Sequence, residues 1–243
     1  MKSQSVRFLL PAITLTVIVT LGAGPSKSQQ EQQPKTVTQT KESQAAMTPK
    51  QALDLLKAGN QRFVEGKLLN RDLREQARVT SLGQFPYAVI LSCQDSRTSS
   101  EILFDLNKGD AFSIRIAGNI INEDVLGGME FGVKLSGAKL IAVIGHNECG
   151  AIKGAVDNAQ LGNLTALLSK IRPVIKAIPP GVQPANSKNK TYVEMVAKEN
   201  VLLVMRQIRE RSPVLKEMID SGQITVVGGM NDLETGKVTF FEH

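Results

Sequence analysis

Two short stretches of this 243-residue chain hold both of its cysteines, each beside other groups able to share in chemistry. "VILSCQDSR" at 89 to 97 carries Cys93, Asp95 and Arg97, and "IAVIGHNECG" at 141 to 150 carries His146 and Cys149. His146 and Cys149 are three residues apart at the start of a predicted helix, so both side chains can face one cation. Two thiolates with one imidazole suit zinc, leaving a fourth position for water, substrate or Asp95. A helix starting near Glu148 would also favour the Cys149 thiolate through its dipole. Spacing alone leaves other readings open: a disulfide between the two cysteines of an exported chain, or two unrelated thiols. Asp95 and Arg97 taken alone read equally as an exposed ion pair contributing less than ~1 kcal/mol.

For these residues to meet, the elements before them must end at one place. "YAVILS" at 87 to 92, "AFSIRI" at 111 to 116, "LIAVIG" at 140 to 145 and "ITVVGG" at 224 to 229 are apolar runs of strand length without polar alternation. Such runs point to strands covered on both faces, as in a parallel sheet. Helical candidates lie between them, near 99 to 106, 124 to 136, 149 to 158, 161 to 178, 188 to 211 and 213 to 221. "LETGKVTFFE" at 233 to 242 reads as a turn, with Gly236, into a final strand. Thr48, Pro49 and Gln51 form a capping signature for a helix running to about Glu65, with Gly59 as its weak point. The expected class is therefore α/β, an open, mostly parallel sheet flanked by helices. Ligands of such sheets collect beyond the carboxyl ends of the strands, where Cys93, Asp95, His146 and Cys149 fall.

Composition is that of one ordinary globular domain with a short appendage, 42% hydrophobic and 21% charged. The formal net charge is +6, but Lys2, Arg7 and Lys27 stand in the first 28 residues, where there is no acid. No dense basic stripe with interleaved aromatics remains, so nucleic acid is not an expected partner. Residues 1–28, with a basic start, an apolar run from Phe8 to about Leu21 and small residues at 22 to 24, read as a signal peptide or N-terminal anchor. Residues 29–46 are Gln/Thr/Lys-rich and read as a polar, solvated linker. The folded domain is then 47–243. The expected location is outside the cytoplasm, periplasmic or extracellular, with membrane contact only through an uncleaved N-terminal segment.

The runs "CQDSR" and "HNECG" resemble the Cys-x-Asp-x-Arg and His-x-x-Cys-Gly signatures of the β-class carbonic anhydrases. The resemblance extends through "LLKAGNQRF" at 55 to 63, "RIAGN" at 115 to 119 and "DLETGKV" at 232 to 238, and so covers about residues 48 to 243. It implies a zinc enzyme that interconverts CO₂ and bicarbonate by attack of zinc-bound hydroxide, with Cys93, His146 and Cys149 holding the metal. It implies that Asp95 pairs with Arg97 beside the metal and either accepts a hydrogen bond from the metal's water or swings in as fourth ligand. Gln84, nine residues before Cys93, matches a position whose amide lies near substrate in the plant-like, open-site subgroup. Phe112, Ala117 and Phe131 match pocket-lining positions, and Gly150 would offer its backbone N–H. In the family this pocket spans a dimer interface, which implies a homodimer or higher homo-oligomer.

The chain departs from the family pattern in two places. Ile116 stands where Asn is frequent, and there is no Trp, which the bicarbonate-inhibited subgroup uses in its regulatory site. His146 is committed to the metal and the other histidine is His243, so a histidine proton relay is not expected. The alternatives are a COS or CS₂ hydrolase on the same scaffold, or an inactive zinc-binding structural protein.

Overall fold

A computed structural model describes residues 37–241 except 180 and 182. The expected signal segment, the linker up to residue 36, and His243 lie outside the described residues. No helix among the described residues is long and apolar enough to cross a membrane.

Among the described residues five strands form one sheet in the order β2-β1-β3-β4-β5. They are β1 (Ala88–Ser92), β2 (Ala111–Arg115), β3 (Leu140–His146), β4 (Thr225–Asn231) and β5 (Val238–Phe241). The first four are mutually parallel, and β5 returns antiparallel to β4 through the turn that contains Gly236. Because side chains alternate along a strand, β1 and β3 feed two separate cores. Val89, Leu91, Ile141 and Val143 pack on one face with α5 (Glu123–Glu130), α9 (Lys190–Arg211) and α10 (Pro213–Asp220). Ala88, Ile90, Leu140, Ala142 and Ile144 pack on the other with α2 (Pro49–Val64) and with Leu103, Phe104 and Leu106, at and beyond the end of α4 (Ser100–Leu103). Every residue of β1 and β3 is buried, as expected of strands with two covered faces. Strand β2 differs: it is a sheet edge whose Ser113 and Arg115 are exposed, so its apolar run is only half covered in a single chain.

Thr48 caps α2 reciprocally with Gln51, and Pro49 opens the helix. Gly59 is not a weakness of this helix but a contact point. A Cβ there would lie 1.9 Å from the Phe104 carbonyl oxygen, so only glycine lets α2 approach the turn after α4. Beside it, buried Asn60 donates to the Leu103 and Gly236 carbonyls and accepts from the Val238 N–H, tying α2 to the β4–β5 turn.

The structure corrects several expectations. The polar stretch read as a linker to residue 46 ends in a helix, α1 (Lys41–Ala46), whose Thr40 and Ser43 cap each other. Its Gln44 is buried and donates to the Pro86 and Ser136 carbonyls, at 2.6 and 2.7 Å. Helix α3 (Leu73–Thr80) was not anticipated, although Asp72 caps it through the Glu75 N–H and "DLRE" is a capping pattern. The helix expected at 99 to 106 stops at Leu103, and Asp105 takes a left-handed conformation with φ 46°. The segment 124 to 136 ends in a π turn over Phe131–Leu135. The segment 161 to 178 is broken at 170 and 171 into α7 (Gly162–Ser169) and α8 (Arg172–Ala177).

That left-handed Asp105 aims its carboxylate at two arginines. Arg62 Nε donates to Oδ2 at 2.5 Å, Arg71 Nη1 donates to Oδ1, and the Leu69 N–H adds a third bond at 3.3 Å. Burial alone would push this acid up, but the bonds from Arg71 and then Arg62 outweigh it and hold its pKa below the usual carboxylate range. Because the folded-state pKa is the lower one, the stabilisation is present above the unfolded value near ~3.9 and is lost as pH falls through the folded value. Asp105→Asn is therefore expected to cost about 3 kcal/mol at pH 7 by leaving two arginines facing an uncharged group. Urea unfolding at pH 7 and at about pH 3 checks this, with the wild-type advantage shrinking at the lower pH.

Candidate metal centre

Strands β1 and β3 run side by side with Ser92 opposite Ile144, so the residues following them leave the sheet at one edge. Cys93 follows β1, His146 ends β3, and Cys149 caps α6 (Gly150–Val156). Their ligand atoms all lie within 4.8 Å of one another, and all three residues are buried. The two sulfurs are 3.9 Å apart and unbridged. The structure thus brings together the three residues singled out by spacing, as free thiols and not as a disulfide.

Local backbone geometry aims each donor. Thr98 Oγ1 lies 3.0 Å from the carbonyl oxygens of both Cys93 and Asp95. Arg115, at the end of β2, donates to the same two carbonyls at 3.2 and 2.5 Å, so the loop after β1 is held from two sides. Gly118, at φ 68°, turns its N–H toward Cys93 Sγ at 3.4 Å. A side chain there would meet Ile171 Cδ1 at 2.8 Å, so both its conformation and its crowding require glycine. The Gly118 carbonyl is held in turn by buried Asn200 of α9 at 2.8 Å. On His146, Nδ1 lies 2.7 Å from the Asn147 carbonyl. A carbonyl only accepts, so Nδ1 carries a proton, and in the neutral ring Nε2 is then the nitrogen with the free lone pair.

That Nε2 is buried and has no hydrogen-bond partner, an arrangement that is costly unless something else satisfies it. A cation between the ring and the two sulfurs satisfies it, and two thiolates with a neutral imidazole are a donor set that zinc prefers. The hydrogen bond between the two sulfurs, opposed by burial and aided by the Gly118 N–H, pulls the Cys93 thiol below its usual range. The same bond and burial push Cys149 up, against weaker bonds from the Ile152 and Ala151 N–H groups. The N–H groups at the start of α6 act on Cys149 in the direction expected of a helix start, and the neighbouring sulfur and burial oppose them.

Asp95 is turned toward Arg97. Its Oδ1 accepts from the Arg97 backbone N–H and Nε at 3.0 and 2.9 Å, and its Oδ2 accepts from an Arg97 terminal nitrogen at 2.8 Å. These bonds hold its pKa well below the usual carboxylate range.

The remaining expected residues divide between the two ends of the sheet. Ala117 is buried in the turn after β2, and Gly150 is exposed at the start of α6, both at the cysteine edge. Gln84 is exposed on the loop entering β1, at the opposite end of that strand from Cys93. Phe112 pairs with Val89 near that same end, and its ring meets Phe131 edge-on at 5.7 Å. Phe131 is 47% exposed. Within one chain Gln84, Phe112 and Phe131 do not join the cluster. Among the groups the sequence reading missed, Arg115 stands inside the "RIAGN" run, whereas Asn200 had no local signal.

A family model described as carbonic anhydrase matches residues 88–238. Carbonic anhydrase 2 of Mycobacterium tuberculosis is 33% identical over 196 residues, which covers 80% of this chain and 94% of that protein. The carbonic anhydrase of Mycolicibacterium smegmatis is 32% identical over 197 residues with the same coverage. Among solved structures, the β-carbonic anhydrase CcaA aligns with a TM-score of 0.63 at 25% identity, covering 78% of this chain and 87% of the other. Matched across its sheet and both cysteine loops, the chain belongs to the carbonic anhydrase family, in its β class.

Proposed function

We propose that the chain catalyses the reversible hydration of CO₂ to bicarbonate and a proton, with zinc held by Cys93, His146 and Cys149. The observation that carries this reading is the buried, unpartnered His146 Nε2 facing two free thiols within 4.8 Å. What zinc supplies when bound is Lewis acidity, which lowers the pKa of water enough for hydroxide to form near neutral pH.

The chain's own residues do the rest. The two sulfurs and the imidazole would hold the metal, and Asp95 stays outside that donor set because Arg97 engages both of its oxygens. Held as a carboxylate, Asp95 can only accept, so it would orient a water at the site by taking a hydrogen bond from it. Ala117 gives an apolar wall to a substrate that is small and apolar. The backbone at Gly150, opening α6, is the proposed donor to a bicarbonate oxygen.

The other wall comes from a second copy. Support lies in the exposed Phe131, the uncovered edge strand β2, and the location of Gln84 and Phe112 away from the metal loops of their own chain. A homodimer is therefore the proposed minimal unit, with Gln84 of one copy serving the metal site of the other. The plant-like, open-site arrangement is proposed on the Asp95–Arg97 pairing. Export is proposed on the basic start, apolar run and small residues of positions 1 to 28.

Stopped-flow CO₂ hydration with zinc quantified on the same sample tests the activity. One zinc per chain with hydration is expected. Cys149→Ser is expected to lower both zinc content and hydration, the latter by more than about 100-fold. Zinc at full occupancy with no hydration would redirect the reading to COS or CS₂ hydrolysis or to an inactive protein.

Gln84→Ala is expected to keep its zinc and lose about 100-fold in kcat/KM, as for removal of one substrate donor. Mixing it with His146→Ala tests the crossing. Activity should reappear in the mixed dimer, where one site combines an intact metal set with an intact Gln84. No recovery after subunit exchange would place Gln84 outside the partner's site.

A further inference from the structure

The His146 imidazole is aimed by the Asn147 carbonyl, so whatever fixes Asn147 fixes the metal ligand. Asn147 is fixed from 85 residues away. Its Nδ2 donates to Asp232 Oδ2 at 3.0 Å, its Oδ1 accepts from the Leu233 N–H at 2.9 Å, and its own N–H reaches the Asn231 carbonyl at 3.3 Å. All three contacts come from the end of β4 and the turn that follows it. Asp232 is itself immobilised, because its Oδ1 accepts from the Glu234 N–H, the Thr235 N–H and the Thr235 hydroxyl at 3.2, 2.8 and 2.8 Å. Its backbone bonds to Lys237 and Gly236 close the same turn. One carboxylate oxygen thus builds the turn and the other grips the metal loop.

We propose that Asp232 is a positioning residue for the metal centre: acting through Asn147, it sets the orientation in which His146 presents Nε2 between Cys93 and Cys149. The inference rests on the zinc reading above and adds to it a residue that touches neither metal nor substrate. The two oxygens of Asp232 have separate duties, which makes the proposal testable. Asp232→Asn keeps an oxygen for the Thr235 and Glu234 donors but sets an NH₂ against the Asn147 NH₂. Asn147 cannot turn its amide over without losing the Leu233 bond. Exchanging the two residues, Asn147→Asp with Asp232→Asn, restores a donor and an acceptor in reversed order while the new carboxylate still accepts from Leu233.

The test is zinc affinity of the full chain by competition with a chromophoric chelator, read beside the visible spectrum of the cobalt-substituted protein. Asp232→Asn is expected to weaken zinc binding by about 10 to 100-fold, as for loss of a group that orients a ligand, and to shift the cobalt bands. The exchanged double variant is expected to return both toward wild type. Thr235→Ala loosens the turn without touching the Asn147 bond and is expected to leave affinity within about 3-fold. Wild-type affinity in Asp232→Asn, equal weakening in Thr235→Ala, or no recovery in the double variant would each overturn the proposal while leaving the zinc site standing. A wild-type chain that takes up no zinc would instead overturn the metal reading itself.

Discussion

The site depends on one constraint: β1 and β3 must lie next to each other, parallel and in a single register. Only then do Cys93 and the His146–Cys149 loop emerge at the same edge. A slip of one residue would turn every side chain of a strand to the other face. The two apolar cores forbid that slip, since each accepts alternate residues of both strands and each is closed by its own helices. The position of three polar ligand atoms is therefore set by apolar packing beneath them, which is stiff because it is dense.

Above that base, polar contacts supply direction. Arg115 and Thr98 fix the carbonyls around Cys93, Gly118 points an N–H at its sulfur, and Asn200 holds Gly118 from α9. The two sulfurs, 3.9 Å apart, are unequal: their contact pulls the Cys93 thiol down and, with burial, pushes the Cys149 thiol up. A zinc held there would need both as thiolates, so loading the site would release protons. Asp95, by contrast, keeps its charge chiefly through Arg97.

Much of this was legible in the residue order. The buried strands announced themselves as unbroken apolar runs, and the loops after them carried side chains that spacing left open between a metal site and a disulfide until the family resemblance favoured the metal. What local pattern could not give were features that exist only through a distant partner. Gly59 reads as a flaw in a helix until Phe104 is seen against it. Asp105 reads as the tail of a helix until Arg62 and Arg71 close on it. Strand β2 reads as buried because its sequence is apolar, yet a single chain leaves it at the edge. Gln84 and Phe112 read as pocket residues through the family resemblance, but within one chain strand β1 separates them from Cys93.

Helix α1 has a practical meaning for where the chain can be cut. Gln44 bridges the carbonyl just before β1 and one at the end of the π turn before β3, so it ties together the feet of the two strands that matter most. A recombinant fragment beginning at Thr48, the natural choice from the capping signature, would leave both oxygens without that amide and open a notch beside Gly137, whose Cα region packs on the Gln44 side chain. The true edge of the folded unit lies before Thr40, inside a stretch whose composition is that of a tether.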